Sequence, residues 1–145
     1  MLYTSYLAKL DLIPKNINCI LITLYPPDDF VKEKTLGNFL QVGYLKDKKV
    51  YLCKYLAPNE EILRAYKMNN NWGLYQESFN KLLDSFNAKY SMKALSILIE
   101  KGFDICLICY EKDHTKCHRT LVAERIEDLY QIEWEELKFP KRKKV

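Results

Sequence analysis

Two near-continuous apolar runs predict strands that are buried on both faces. The first covers residues 18–25 and the second covers residues 103–109. Short apolar runs rich in β-branched residues and bounded by turn residues are typical of strands inside a covered sheet. A third, shorter run over residues 1–6 predicts another strand. The chain therefore supplies at least three strands for one sheet.

Apolar residues spaced three and four apart predict four helices. Asn59 and Asn71 are suitable N-cap residues for the first two. The third is predicted from about Ser91 to Gly102, a good C-cap residue, and the fourth from about Cys117. The second helix has one apolar stripe, formed by Tyr75, Phe79, Leu82, Leu83 and Phe86. The fourth presents a similar stripe to the core, formed by Leu121, Val122, Ile126 and Leu129.

The segment between the first buried strand and the first helix has the least regular pattern. We predict a hairpin or an ordered loop over residues 28–49 and an edge strand over residues 49–54.

The succession of helix, buried strand, loop and helix predicts the fold class. We expect a single compact α/β domain over residues 1–138, with a largely parallel, Rossmann-like sheet covered by helices, and a basic tail over residues 139–145. In such sheets, ligands bind beyond the carboxyl ends of the strands. We therefore expect a ligand site at Tyr110, Glu111 and the loop that follows them.

Composition and charge limit the classes of function. The chain has 145 residues, of which 48% are hydrophobic and 29% charged, as in a folded domain. The net charge of +4 depends on the tail 141–144, without which 19 basic residues face 19 acidic ones. General nucleic-acid affinity is thus not a property of the whole surface. No apolar run approaches the ~20 residues that span a bilayer, and no secretion signal is recognisable. We expect a cytoplasmic protein with no membrane partner.

The cysteines do not form a disulfide pattern. There are five, an odd number, and Cys19 and Cys106 lie in apolar runs where cysteine usually serves as a small buried hydrophobe. A disulfide framework is therefore not expected.

Chemically versatile residues are concentrated in the segment 109–119. Its helix start near Cys117 places free amides and a positive dipole end beside His118 and Arg119, as in an anion site, and Arg119 can hold two oxygens at once. Cys117 at a helix start is a candidate thiolate nucleophile. Glu111 is a candidate general base. We expect Glu111, His118 and Arg119 to line one concave pocket.

Two other interpretations of the same residues remain open. Cys109, Cys117 and His118 are possible zinc ligands with His114 or Glu111 as the fourth, but C-x7-C-H is not a standard zinc spacing. We therefore predict no metal and no cofactor. Alternatively, Cys109 is simply packed, while Cys117 and His118 cap the helix and pair with Glu111 in a structural network.

At these residues the chain resembles the domain-of-unknown-function 488 family. Its hallmark is a strand that ends in Cys-Tyr-Glu-Lys and a helix that opens with Cys-His-Arg, found here at 109–112 and 117–119. Further similarities to one branch of the family extend over most of the chain; they are Thr4-Ser5-Tyr6, Leu56-Ala57-Pro58, Tyr66-Lys67, Tyr75 and Leu121-Val122-Ala123-Glu124. The resemblance implies a compact α/β domain and no established activity.

One departure from the family pattern bears on activity. Members often carry a Ser-Arg pair where this chain has Thr23-Leu24. If that arginine serves the site in relatives, this protein has a shifted or lost activity, and is a binder on the frame of an enzyme. The segment 28–54 then supplies new contacts, including Tyr44, Lys46 and Tyr51.

Together these observations lead to one main functional hypothesis. We expect the protein to bind and process a small phosphorylated, nucleotide-like ligand, because aromatic rings stack on bases and helix starts bind phosphate. The candidate catalytic residues are Glu111, Cys117 and His118. The candidate ligand-binding residues are Tyr3, Ser5, Tyr6, Tyr110 and Arg119. The alternative is a non-catalytic binder of a nucleotide signal or a nucleic acid; a metal-assisted hydrolase and a thiol redox protein are further alternatives.

Overall fold

Seven strands form one mixed sheet in the computed structural model, which describes residues 1–140. They are β1 (Leu2–Tyr6), β2 (Asn18–Leu21), β3 (Phe30–Leu36), β4 (Leu40–Leu45), β5 (Lys48–Leu52), β6 (Ile105–Cys109) and β7 (Trp134–Glu136). Their order across the sheet is β3-β4-β5-β2-β6-β1-β7. Strands β5, β2, β6, β1 and β7 are parallel to one another. Strand β4 is antiparallel to both of its neighbours, β3 and β5. The predicted α/β class with a largely parallel sheet is confirmed.

Four α-helices lie within the described residues. They are α1 (Glu60–Asn69), α2 (Trp72–Leu83), α3 (Phe86–Glu100) and α4 (His118–Tyr130). The Asn59 side chain accepts a hydrogen bond from the Ile62 amide at 2.9 Å, and Asn71 does the same for Leu74 at 3.1 Å. Both predicted N-caps are therefore confirmed.

The boundary between α2 and α3 differs from the prediction. Ser85 caps α3 by accepting from the Ala88 amide at 3.3 Å, so α3 begins before Ser91. Phe86 consequently belongs to α3 and is 81% exposed, instead of extending the apolar stripe of α2. Leu129, predicted to face the core from α4, is 47% exposed.

The two faces of the sheet are covered by different elements. One buried cluster contains residues of all four helices packed on Leu2, Ile20 and Leu107. The other contains a 3-10 segment (Leu7–Leu12), the chain that follows it, and Leu137 and Phe139. Because strand residues alternate between faces, Thr4 and Tyr6 lie on the helical face, and Tyr3 and Ser5 lie on the opposite face.

Two strands were not correctly predicted. β5, predicted as an edge strand, lies inside the sheet between β4 and β2. Its outer edge is hydrogen-bonded to β4 of the β3–β4 hairpin. β7 was not predicted, and it pairs with β1 in parallel. The chain remains packed beyond residue 138, since Phe139 contacts the second cluster. Of the predicted tail 139–145, residues 141–145 lie outside the described residues.

Within residues 1–140, every helix is too short or too polar to cross a bilayer.

Candidate functional site

The candidate site lies where β6 ends and α4 begins. Between them, residues 114–116 form a single 3-10 turn, and Cys117 occupies the N-cap of α4. The Asp113 carboxylate accepts hydrogen bonds from the Thr115 amide at 3.0 Å and the Thr115 hydroxyl at 2.6 Å, and these bonds lower the pKa of Asp113. The Thr120 hydroxyl donates to the His114 carbonyl at 2.6 Å. Side chains of the loop and of α4 thus stabilise the 3-10 turn.

Arg119 is the largest fully buried side chain of the described residues. Its Nε and Nη2 donate to the two oxygens of Glu136 at 2.9 and 3.0 Å, a bidentate pair. Nη1 donates to the Cys109 sulfur at 3.1 Å and to the Glu111 carbonyl, and Nη2 also donates to the Lys112 carbonyl at 3.2 Å. All five N–H groups of the guanidinium therefore have partners within the protein.

These contacts give Arg119 a different role from the one predicted. The two oxygens that its planar guanidinium binds are those of Glu136, whereas the prediction was that it binds oxygens of a ligand. The Glu136 carboxylate also accepts a hydrogen bond from the Thr4 hydroxyl at 2.7 Å. The Tyr6 ring lies 5.9 Å from the guanidinium carbon on the same face. Arg119 thereby joins β6, β7 and the loop after β6. Sequence reasoning missed Glu136, because a three-residue strand has too little pattern to be predicted.

Two of the motif cysteines are bonded to each other. Cys109 and Cys117 form a disulfide, and each is 1% exposed. The other three cysteines, Cys19, Cys53 and Cys106, are free and buried. A framework of several disulfides does not form, but this single bridge was not predicted. The thiolate role assigned to Cys117 consequently applies to the reduced form of the protein.

His118 is buried beside this cysteine pair. Its Nε2 donates to the Ile22 carbonyl, and its Nδ1 lies 3.9 Å from the Cys117 sulfur. Burial, with a contribution from the charge of Arg119, lowers the pKa of His118 to about 4. The imidazole is therefore neutral at pH 7, and with the proton on Nε2 its Nδ1 is an acceptor facing sulfur. The expected pairing of His118 with Glu111 is replaced by the backbone of β2.

The start of α4 has no side-chain cap. The N-cap residue Cys117 makes no side-chain capping bond, and no acidic residue lies in the first turn. An uncapped helix start of this kind carries partial positive charge on its free amides.

The remaining predicted residues are spread around this centre. Glu111 is exposed, and its charge adds to burial in raising the pKa of Tyr75 on α2. Tyr110 is 50% exposed and donates to the Tyr25 carbonyl at 2.7 Å. Ser5 is fully buried, with no partner for its hydroxyl in the described residues, and lies with Tyr3 on the other face of the sheet.

The expected common pocket is therefore not formed by its three residues. Glu111 is open to solvent, His118 is 8% exposed and Arg119 is 0% exposed. The reason is that Arg119 is satisfied inside the protein, and it draws the backbone of Glu111 and Lys112 over itself.

The three groups considered as zinc ligands do come together. The sulfurs of Cys109 and Cys117 and a ring nitrogen of His118 lie within 4.8 Å of one another. In this structure the sulfurs are bonded to each other, so they are not the free thiolates that a metal ion binds. The sequence offered Glu111 or His114 as the fourth ligand. Glu111 is exposed and His114 is partly exposed, whereas the other three groups are buried.

Comparison with known proteins identifies the family. No curated protein and no solved structure matches the chain. A family model, DUF488-N3a, described as the active DUF488-N3 subclade, matches residues 9–129. That match covers most of the chain, including β6, the loop and α4 up to Leu129, and confirms the resemblance seen in the sequence. The chain belongs to the DUF488-N3a family.

Proposed function

We propose that this protein binds a small phosphorylated, nucleotide-like ligand at the carboxyl end of its sheet and processes it with the Cys117 thiol. The observation that carries the proposal is the neutral His118 ring, whose Nδ1 faces the Cys117 sulfur at 3.9 Å. After reduction of the disulfide, this nitrogen accepts a hydrogen bond from the thiol, and the start of α4 stabilises the thiolate.

Features at the same end of the sheet suit the ligand. The uncapped start of α4 favours a phosphate group. Tyr110 and Tyr25 are 50% and 58% exposed, and they are joined by a hydrogen bond at 2.7 Å. Exposed aromatic rings of this kind provide surfaces on which a nucleobase stacks. The exposed Glu111 carboxylate is available to the ligand or to water in the same region.

The chemical step is nucleophilic displacement. The Cys117 thiolate attacks the electrophilic centre of the ligand, a bond from sulfur to that centre forms, and the bond to the leaving group breaks. Water, activated by Glu111, then cleaves the bond to sulfur and regenerates the thiol. Arg119 and Glu136 act as positioning residues, because they fix Cys109 and the loop. The description of the family as active supports an enzyme.

A non-catalytic binder is the second candidate. The observation in its favour is the burial of both sulfurs, each 1% exposed, which leaves a ligand little access to them. Leu24, at a position where the resemblance to the family implies an arginine, also favours this candidate.

We expect turnover of a nucleotide panel to require reduction by dithiothreitol, which converts the disulfide to two thiols. Cys117→Ser should lower turnover by about a hundredfold or more, because the alcohol is a much weaker nucleophile. The matched control is Cys106→Ser, which changes a free, buried cysteine on the other face of the sheet. Turnover is followed by chromatography of the products, and binding is measured in parallel.

Three outcomes decide between the candidates. Turnover that depends on reductant and on Cys117, but not on Cys106, supports the enzyme. Binding without turnover by the reduced protein supports the non-catalytic binder. If the panel neither binds nor reacts with reduced protein, both candidates fail.

A further inference from the structure

A second concave site lies at the opposite end of the sheet from the cysteine pair. It is a cleft of about 570 Å³ at the amino ends of β2 and β5, a volume typical of pockets for small molecules. We call it the lysine cleft; its lining residues include Lys15, Lys46, Lys48, Lys49 and Tyr51. None of these residues belongs to the motifs that end β6 and begin α4.

The charge of the cleft is positive and not neutralised locally. Its four lysines face two aspartates, Asp11 and Asp47. The ion pairs within residues 1–140 involve none of the four lysines. This local excess contrasts with the balanced charge of the chain without its tail, and it favours the binding of an anion in the cleft.

Lys48 is fixed in position, unlike a freely moving surface lysine. Its Nζ donates to the Leu10 carbonyl at 2.8 Å and to the Ile13 carbonyl at 2.7 Å. Both bonds use carbonyls near the end of the 3-10 segment, and the ammonium retains a third donor. The positive charge therefore stays at the cleft without further loss of side-chain entropy on binding.

The cleft also offers apolar and aromatic surface. Ile13, Ile17 and Leu45 are buried residues that line it, and Tyr51 is partly buried with the Lys49 Nζ 5.9 Å from its ring centroid. A ligand that fits has an anionic group for the lysines and a flat or apolar part for these side chains.

We propose that the lysine cleft is a second ligand site, which binds a small phosphorylated molecule carrying a flat apolar group. The volume of about 570 Å³ suits a small molecule, whereas a nucleic acid strand would need basic surface continuing beyond the cleft. This inference does not rest on the proposed function of the cysteine site.

The test uses adenosine 5′-monophosphate as the probe and amide NMR shifts of the full-length protein as the readout. We expect saturable shifts at residues 46–49, with adenosine alone producing much smaller ones. The double variant Lys46→Glu, Lys49→Glu should weaken binding at the cleft by about tenfold or more, because two attractive charges become repulsive. The matched control is Lys32→Glu, Lys34→Glu, which makes the same charge change at exposed positions of β3 outside the cleft.

The outcomes separate this site from the cysteine site. Shifts at residues 118–119 report the proposed function, whereas shifts at 46–49 report the cleft, so either can fail alone. Equal loss of affinity in both double variants would show that the attraction is diffuse and would overturn the proposal. An absence of shifts at 46–49, or tighter binding of a single-stranded oligonucleotide than of the monophosphate, would overturn it as well.

Discussion

Arg119→Ala is expected to lower the free energy of unfolding by about 3–5 kcal/mol, the usual cost of breaking a buried ion pair by removing one partner. The substitution leaves the Glu136 carboxylate, only 15% exposed, without its bidentate partner. It also removes donors from the carbonyls of Glu111 and Lys112. Arg119→Lys should recover little of the loss, because an ammonium cannot reproduce the planar fork.

The same helix provides a matched control. Arg125 pairs with Asp84 at 2.7 Å, but the Asp84 side chain is 62% exposed. Arg125→Ala should therefore cost about 1 kcal/mol or less, as exposed pairs do. Urea unfolding under non-reducing conditions measures both variants. Equal losses at Arg119 and Arg125 would contradict the structural role assigned to Arg119, and a free ligand-binding guanidinium would become the better interpretation.

Glu136 provides the complementary variant. Glu136→Gln keeps the shape of the side chain but leaves the buried guanidinium without a counter-charge. We therefore expect it to lower the free energy of unfolding, by somewhat less than Arg119→Ala does. Glu135→Gln, at an exposed neighbouring position, should leave the free energy of unfolding nearly unchanged.

Local signals predicted the helices and the buried strand that precedes the candidate site. Asn59 and Asn71 cap helices because their side chains bond to amides three residues ahead, an interaction contained within a few residues of sequence. The apolar run that ends at Cys109 predicted a buried strand for a similar reason, since all five residues of β6 are buried. Because ligands bind at the carboxyl ends of parallel strands, this strand made the loop after it the candidate site.

Long-range partners could not be predicted from the same signals. Glu136 meets Arg119 because β7 pairs with β1 at the far end of the chain, and the three residues of β7 show no periodicity. The partner of His118 is the carbonyl of Ile22, and a backbone carbonyl is present at every residue. β5 was misplaced at an edge because its neighbour β4 lay in the segment without a readable pattern.

His118 should make the stability of the protein depend on pH. Its pKa is about 4 in the folded protein and is ordinarily 6.5, so the unfolded chain binds a proton before the native state does. Above pH 6.5 the ring is neutral in both states and contributes no pH dependence. Between pH 6.5 and 4, stability falls with acidification by about 1.4 kcal/mol per pH unit, for a total of about 3 kcal/mol.

A glutamine at this position isolates the contribution of the imidazole. In His118→Gln the amide can still donate to the Ile22 carbonyl, but it does not titrate. The difference in free energy of unfolding between wild type and His118→Gln should therefore decrease as the pH falls from 7 to 5, while carboxylates common to both proteins cancel. His114→Gln, the same substitution at the other histidine, is the control for the loss of one imidazole. Urea titrations at several pH values measure these slopes. Parallel curves for wild type and His118→Gln would show that His118 is not held neutral by burial, and the acceptor role of its Nδ1 toward Cys117 would have to be abandoned.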